Sequence, residues 1–309
     1  MSIVVDHVSR NFGDTVALSH VSFTAGPGIT GLLGHNGAGK STLLSLLAGF
    51  SSPSEGSVRV NDRDPKRDLA VHTDLGVVPD GQGLWHHLTA REAVTALARM
   101  RGVGDPSAAA AAALAEVGLT DAADRRLGQY SKGMGQRAKL AQALVHDPGV
   151  LLLDEPLNGL DPAQRRHMID VVTRRAAAGC TVLVSSHVLH EVERMAPRVV
   201  VLVNGRVVAE GETSGIKALL RDRPQTVRVT TAADPRALAS ALAGAASTHA
   251  VRVHDNTLEI ETSDPEQLGQ SLSRAAAASR TTLRGIEPVG EDLESLYAYL
   301  TARARGSAR

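Results

Sequence analysis

Gly34-His35-Asn36-Gly37-Ala38-Gly39-Lys40-Ser41-Thr42 lies between a short apolar run, Ile29 to Leu33, and a Leu-rich segment that ends at Gly49. Strand, glycine-rich turn and helix is the setting in which G-x-x-x-x-G-K-[ST] spacing makes a phosphate cradle. Glycines let the backbone curl so that successive N–H groups point inward, and the helix N-terminus adds partial positive charge. Lys40 would reach the β- and γ-phosphates, and the Ser41 hydroxyl would hold Mg²⁺. Such a motif also arises by chance, so the rest of the chain must decide its meaning.

Working outward, the strands on either side alternate with helices. Residues 3–8 and 16–25 read as two strands joined by a turn at Arg10-Asn11-Phe12-Gly13-Asp14. Phe12 in that turn could stack on a base or plug the sheet end. Ser57 to Val60 and Leu75 to Val78 are further strands, the second ending in a loop, Pro79-Asp80-Gly81-Gln82-Gly83. From Thr89 to about Leu127 helix formers dominate. That stretch is too short for a large core of its own and reads as a helical insertion. Ser131 is placed to cap a helix running to about His146. Val150-Leu151-Leu152-Leu153 is continuously apolar, as suits a strand buried on both faces of a parallel sheet. Thr181 to Val184 repeats the pattern after a helix over 162–178. Val199–Val203 and Arg206–Ala209 flank Asn204-Gly205, a strong hairpin signal. The alternation predicts an α/β domain with a mostly parallel central sheet.

After Arg223-Pro224 a second unit begins, in the order βαββαβ: a strand at Val227/Val229, a helix over 235–242, a hairpin at Asp255-Asn256, a helix over 265–278 and a strand over 281–287. A last helix follows, with an apolar stripe at Leu293, Leu296, Tyr297 and Leu300. That order can close as a ferredoxin-like sheet. It contains no chemical motif, and the tail from Arg303 to Arg309 reads as frayed.

Composition narrows the function classes. The chain has 309 residues, enough for two domains, with 43% hydrophobic but only 2% aromatic residues, so the core must be aliphatic. Lys+Arg and Asp+Glu balance at 33 each, which argues against a nucleic-acid binder with a strong basic field. The single cysteine, Cys180, excludes an intrachain disulfide and fits a reducing compartment; a small buried residue is its ordinary role. No apolar run approaches the ~18–20 residues needed to span a bilayer, and the start has no signal-peptide pattern. The expectation is a cytoplasmic protein.

Three features give the phosphate loop its context. Asp154-Glu155 ends the buried strand, where such sheets bind ligands. Asp154 is placed to hold Mg²⁺ and Glu155 to polarise an attacking water. Tyr130-Ser131-Lys132-Gly133-Met134 stands some twenty residues earlier; Ser131 and the Gly133 amide could form a second anion site or simply an N-cap and turn. His187, just past a strand end in Val184-Ser185-Ser186-His187, could hydrogen-bond a γ-phosphate or lie on the surface among twelve histidines.

In order and spacing these features make residues 1 to about 220 resemble the ATPase subunit of an ABC transporter. Gly34 to Ser41 match Walker A, Val150 to Asp154 match Walker B, and Glu155 falls on the catalytic glutamate. Ser131 and Gly133 lie in the signature, Asp161 in the D-loop (Asn158-Gly159-Leu160-Asp161), and His187 on the switch histidine. Phe12 falls on the aromatic that stacks adenine. The resemblance implies a P-loop fold with an N-terminal antiparallel β-subdomain, a helical subdomain over about 86–147, and an ATPase domain over 1–223. Residues 224–309 would form a small α+β accessory domain. It implies ATP and Mg²⁺ as cofactors, a second ATPase subunit that covers the nucleotide with Ser131 and Gly133, and a separate membrane permease on whose inner side the chain docks. Two departures stand out. The signature reads Tyr-Ser-Lys-Gly-Met instead of Leu-Ser-Gly-Gly-Gln, a form similar to a bacterial branch that exports drugs, antibiotics or polysaccharide-like molecules. The Q-loop glutamine position holds Asp80, with Gln82 two residues on; either could serve. A soluble ABC ATPase acting on nucleic acid or the ribosome is an alternative, but the chain lacks tandem units and a basic linker. A regulated import ATPase with a C-terminal sensor is another, disfavoured by the signature form.

Overall fold

The computed structural model describes residues 1–81, 85–216, 225–245 and 247–289. Gln82, the Arg223-Pro224 junction, the helix expected around Leu293 to Leu300 and the tail from Arg303 lie outside the described residues. The chain divides into two compact units, Met1–Thr213 and Ser214–Arg309. That division falls earlier than the 223/224 boundary read from the Arg-Pro pair. Thr213 still belongs to the first unit, because its N–H donates to Pro197 O at 2.9 Å and its hydroxyl to Ala196 O at 2.6 Å.

The first unit opens with a three-stranded antiparallel sheet of β1 (Ile3–Phe12), β2 (Thr15–Ala25) and β4 (Glu55–Val60), in the order β2-β1-β4. β1 continues to Phe12, so Phe12 ends a strand; it does not sit in a turn, and the turn shrinks to Gly13-Asp14. Alternation fails beyond residue 8 because the ribbon is bulged: the register shifts between Val5 and Val8 and again before Arg10 and Asn11. His7 and His20 take left-handed φ values of 47° and 51°. A bulge moves later side chains to the other face, so the period-2 signal breaks while pairing continues.

The central sheet has six strands. β3 (Gly28–Leu33), β5 (Leu75–Val78), β6 (Val150–Leu153), β7 (Thr181–Ser186) and β8 (Arg198–Val203) are parallel, and β9 (Arg206–Glu212) closes the edge antiparallel to β8. Their order in space is β5-β6-β7-β3-β8-β9. All four β6 residues are buried, as expected of a strand covered on both faces. Helix α1 (Lys40–Leu47) lays Leu43, Leu44, Leu46 and Leu47 into an aliphatic core with Leu32, Leu152, Leu183 and Val200. Each fully buried Leu there contributes about 1.5–3 kcal/mol of burial. The inserted helices are α2 (Ala90–Met100), α3 (Pro106–Glu116) and α4 (Lys132–Leu144); α5 (Pro162–Ala177) connects β6 to β7. α2 starts on a capping box, in which Thr89 and Glu92 satisfy each other's backbone N–H groups.

The second unit contains β10 (Gln225–Thr231), a helix Arg236–Leu242, β11 (Thr248–His254), β12 (Thr257–Thr262), a helix Pro265–Ala278 and β13 (Leu283–Val289), the last two residues later than its predicted bounds. The strands pair antiparallel in the order β11-β12-β10-β13, the order of a ferredoxin-like sheet. Val227, Val229, Leu258 and Ile260 point to one face and form its core with Leu238, Leu242, Leu268 and Leu272 from the two helices.

Candidate functional site

Because β5, β6, β7 and β3 are parallel neighbours, four segments distant in sequence end side by side. β5 delivers Asp80, β6 delivers Asp154 and Glu155, β7 delivers His187, and β3 delivers the glycine-rich loop. Ligands bind at such carboxyl ends in open α/β sheets.

The loop is built from constraints at two glycines. Gly39, at φ 105°, occupies the N-cap of α1, where no side chain caps the helix. A left-handed N-cap without a side chain leaves the first amides of α1 free to face an anion. At Gly34 a Cβ would lie 2.5 Å from Leu202 O and 2.9 Å from Ala38 Cβ, so the loop enters against backbone. Gly205 N–H donates to Ala38 O at 3.0 Å and pins its far side. His35 Nδ1 hydrogen-bonds Asn36 O at 2.7 Å, while Asn36 and Gly37 are exposed at the tip and Thr42 is half-buried in the first turn of α1.

Lys40 is 5% exposed. Its ammonium donates to Gly34 O at 2.6 Å and His35 O at 3.3 Å, and lies 3.3 Å from Glu155 Oε1. The other Glu155 oxygen, Oε2, is 3.0 Å from His187 Nδ1. Lys40, Glu155 and His187 therefore form one chain across the ends of β3, β6 and β7. Glu155 itself sits at φ 47°, a left-handed conformation that costs a residue with a Cβ about 1–2 kcal/mol. A buried ion pair on a strained residue is poor value for stability, because desolvation offsets much of the attraction. Strain and buried charge of this kind cluster at functional sites.

Ser185 was not among the residues singled out from sequence. Its Oγ donates to Asp154 Oδ1 at 2.6 Å and accepts from Glu155 N–H at 2.9 Å, so one hydroxyl holds both acidic residues. A polar residue inside a buried strand was the available signal. Ser41, Asp80 and Asp154 line one cleft of about 330 Å³ beneath α1. Two carboxylates and a hydroxyl offer only hard oxygen donors, which suits Mg²⁺ bound partly through phosphates and water. Among the described residues no group of three or more His, Cys, Asp or Glu could cage a metal alone.

Ser131, Gly133 and Asp161 form a second group, at the starts of α4 and α5. Ser131 Oγ accepts from Met134 N–H at 3.2 Å as the N-cap of α4. A Cβ on Gly133 would meet Gln164 Oε1 at 2.2 Å, and one on Gly159 would meet Lys132 Cδ at 2.5 Å. The start of α4 thus packs directly on the Asn158–Asp161 loop and the first turn of α5. Asp161 Oδ1 caps α5, accepting from Ala163 and Gln164 N–H at 2.9 and 2.8 Å. Phe12 is exposed, with the Arg10 guanidinium 4.6 Å from its ring centroid. Cys180 is buried and burial pushes its thiol up to about 11, which leaves it outside the chemistry.

A sequence model described as ABC transporter matches residues 18–158. The chain is 36% identical over 304 residues to a Nod factor export ATP-binding protein I of Burkholderia lata, covering 96% of each. It is 30% identical to the linearmycin resistance ATP-binding protein LnrL of Bacillus subtilis, covering 96% of this chain and 97% of that one. This chain belongs to the ABC transporter family. It is an ATP-binding subunit of that family and an ATPase. Among solved structures, an ATP-binding subunit of an ABC transporter superposes at TM-score 0.66 with 26% identity, over 71% of this chain and 93% of that one. A dimeric bacterial ABC transporter cassette superposes at 0.64 with 25% identity, over 68% and 98%. Among the described residues of this ABC subunit no helix is long and apolar enough to cross a membrane.

Proposed function

We propose that this ABC subunit binds Mg-ATP at the Lys40 loop and hydrolyses it to drive a separate membrane permease that exports its substrate. The observation that carries the reading is the Lys40–Glu155–His187 chain at the ends of three adjacent parallel strands. ATP phosphates would take over the ammonium of Lys40 from the carbonyls of Gly34 and His35. That releases Glu155 Oε1 to accept from an attacking water, while His187 keeps Oε2 oriented. Gly34, His35, Asn36, Gly37, Ala38, Gly39 and Thr42 would wrap the phosphates with backbone amides, and Phe12 would stack the adenine. Mg²⁺, held by Ser41 and Asp154 with Asp80 beside them, would neutralise charge on the β- and γ-phosphates.

Ser131, Gly133 and Asp161 are not among the residues that line the cleft of Ser41, Asp80 and Asp154. In this reading they complete the site of a second copy, so the working form is a head-to-tail dimer. Similarity along nearly the whole chain to proteins named for Nod factor export and linearmycin resistance supports the outward direction. The chain would work on the cytoplasmic face of the membrane, held there by the permease, and nucleic acid would not be a partner.

ATP-dependent association tests this. Glu155→Gln with Mg-ATP should run as a dimer in size-exclusion chromatography with light scattering, whereas Lys40→Ala should stay monomeric. A Glu155→Gln variant that elutes identically with and without ATP would overturn the composite site.

A further inference from the structure

Lysine is rarely fully buried unless paired. Lys139, two turns into α4, is only 8% exposed, and among the described residues its ammonium makes no ion pair. It donates instead to the backbone carbonyl of Gly81 and lies 3.4 Å from that of Pro79. Those two carbonyls flank Asp80, the residue at the Q-loop position. Burial holds the pKa of Lys139 below the usual lysine value; the charge of Asp80 partly offsets this, and nearby Lys132 adds to the lowering. Asp80 is also shared by two clefts. One contains Ser41 and Asp154; the other, about 390 Å³, is walled by Gly81, Ser131, Lys132, Gln136 and Lys139.

We propose that Lys139 is a positioning residue for Asp80: it clamps the backbone on both sides of that carboxylate and so ties the cation side of the nucleotide site to the helix that bears Ser131. An aspartate at this loop position is one methylene shorter than glutamine. A cation fixed to α4 supplies both the counter-charge and the mechanical link. The arrangement passes a change at Asp80 directly into α4, and back. This inference rests on the ATP-hydrolysing reading above.

A double-mutant cycle tests it, using the Mg²⁺ concentration that half-saturates binding of a fluorescent ATP analogue. Lys139→Met should move that midpoint by at least about threefold, the scale of one charge near a partly solvated site. The same substitution in an Asp80→Asn background should move it far less, because the pair is coupled. Lys139→Arg, which keeps charge and donors, should restore the wild-type midpoint. Lys139→Gln, which keeps one donor, replaces Lys139→Met if the latter does not fold. Equal shifts in both backgrounds, or no shift in either, would overturn the proposal. Loss of Mg-dependent nucleotide binding in the wild type would instead overturn the ATPase reading.

Discussion

The central parallel sheet and the C-terminal antiparallel sheet treat charge in opposite ways. At the ends of the parallel strands Lys40, Asp154 and Glu155 are each less than a tenth exposed, and Glu155 is held in a left-handed conformation. On the face of the C-terminal sheet away from its core, charges stand in registered rows. Arg252 faces Glu259, Glu259 faces Arg228, and Arg228 faces Glu287 across successive strands. Arg228 Nη2 reaches Glu259 Oε1 at 2.8 Å, and Arg252 Nη1 reaches Glu261 Oε1 at 2.7 Å. Exposed pairs like these contribute about 0–1 kcal/mol and satisfy one another. The first arrangement costs stability and keeps reactive groups in place; the second costs little and leaves nothing over for chemistry. The difference shows that charge density alone does not mark a site. Burial, strain and incomplete pairing do.

The comparison breaks most readily at Glu155. Glu155→Gln keeps size and most contacts but removes the proposed base, so kcat for ATP hydrolysis should fall about 10²–10⁴-fold, with nucleotide affinity nearly unchanged; a steady-state assay beside a binding titration measures both. Ser185→Ala comes next. It strips the hydroxyl that joins Asp154 Oδ1 to Glu155 N–H, and leaving such buried groups unsatisfied costs about 1–3 kcal/mol. Urea unfolding should show that loss together with a lower kcat, since both acidic residues lose a common support.

A smaller effect separates buried from reactive. The Cys180 thiol, pushed up to about 11 by burial, should resist an aromatic disulfide reagent at pH 8 in the folded protein and react promptly in denaturant. Between the ordinary thiol range and that value the unfolded chain ionises first, so stability from this group declines as pH rises. The smallest effect belongs to the C-terminal row. Arg228→Ala should change stability by less than about 0.5 kcal/mol at pH 7. The hydrogen bond from Arg228 holds the Glu259 carboxyl below its usual range. Its contribution is therefore present above the ordinary carboxylate range and disappears as pH falls through the folded value. Denaturation midpoints of wild type and variant should converge once the pH lies well below the ordinary carboxylate range. A large loss at neutral pH would place Arg228 with the buried charges after all.

Much of the site was legible where chemistry is local in sequence. The Gly34–Thr42 loop depends on backbone freedom and a helix start within nine residues, and the apolar run Val150–Leu153 announces a strand covered on both sides. Asp154, Glu155 and His187 could be named because each ends a recognisable strand. Ser185 could not be ranked above Ser186, because its partners lie just past the end of β6 and are reached only through strand pairing. The length of β1 was hidden for another reason: its bulges reverse the facing of side chains without ending the pairing.

By itself, then, the amino-acid sequence determined most of the elements, their order and the residues of the glycine-rich loop motif, since these follow from periodicity, turn chemistry and short-range spacing. Only the tertiary structure decided which strand ends are neighbours. The order β5-β6-β7-β3 sets Lys40 against Glu155 and Glu155 against His187, a choice made by how parallel strands shuffle to bury both faces. It likewise decided that Lys139 points inward to the carbonyls beside Asp80. No helical periodicity marks a lysine for burial; the packing of α4 against the end of β5 does.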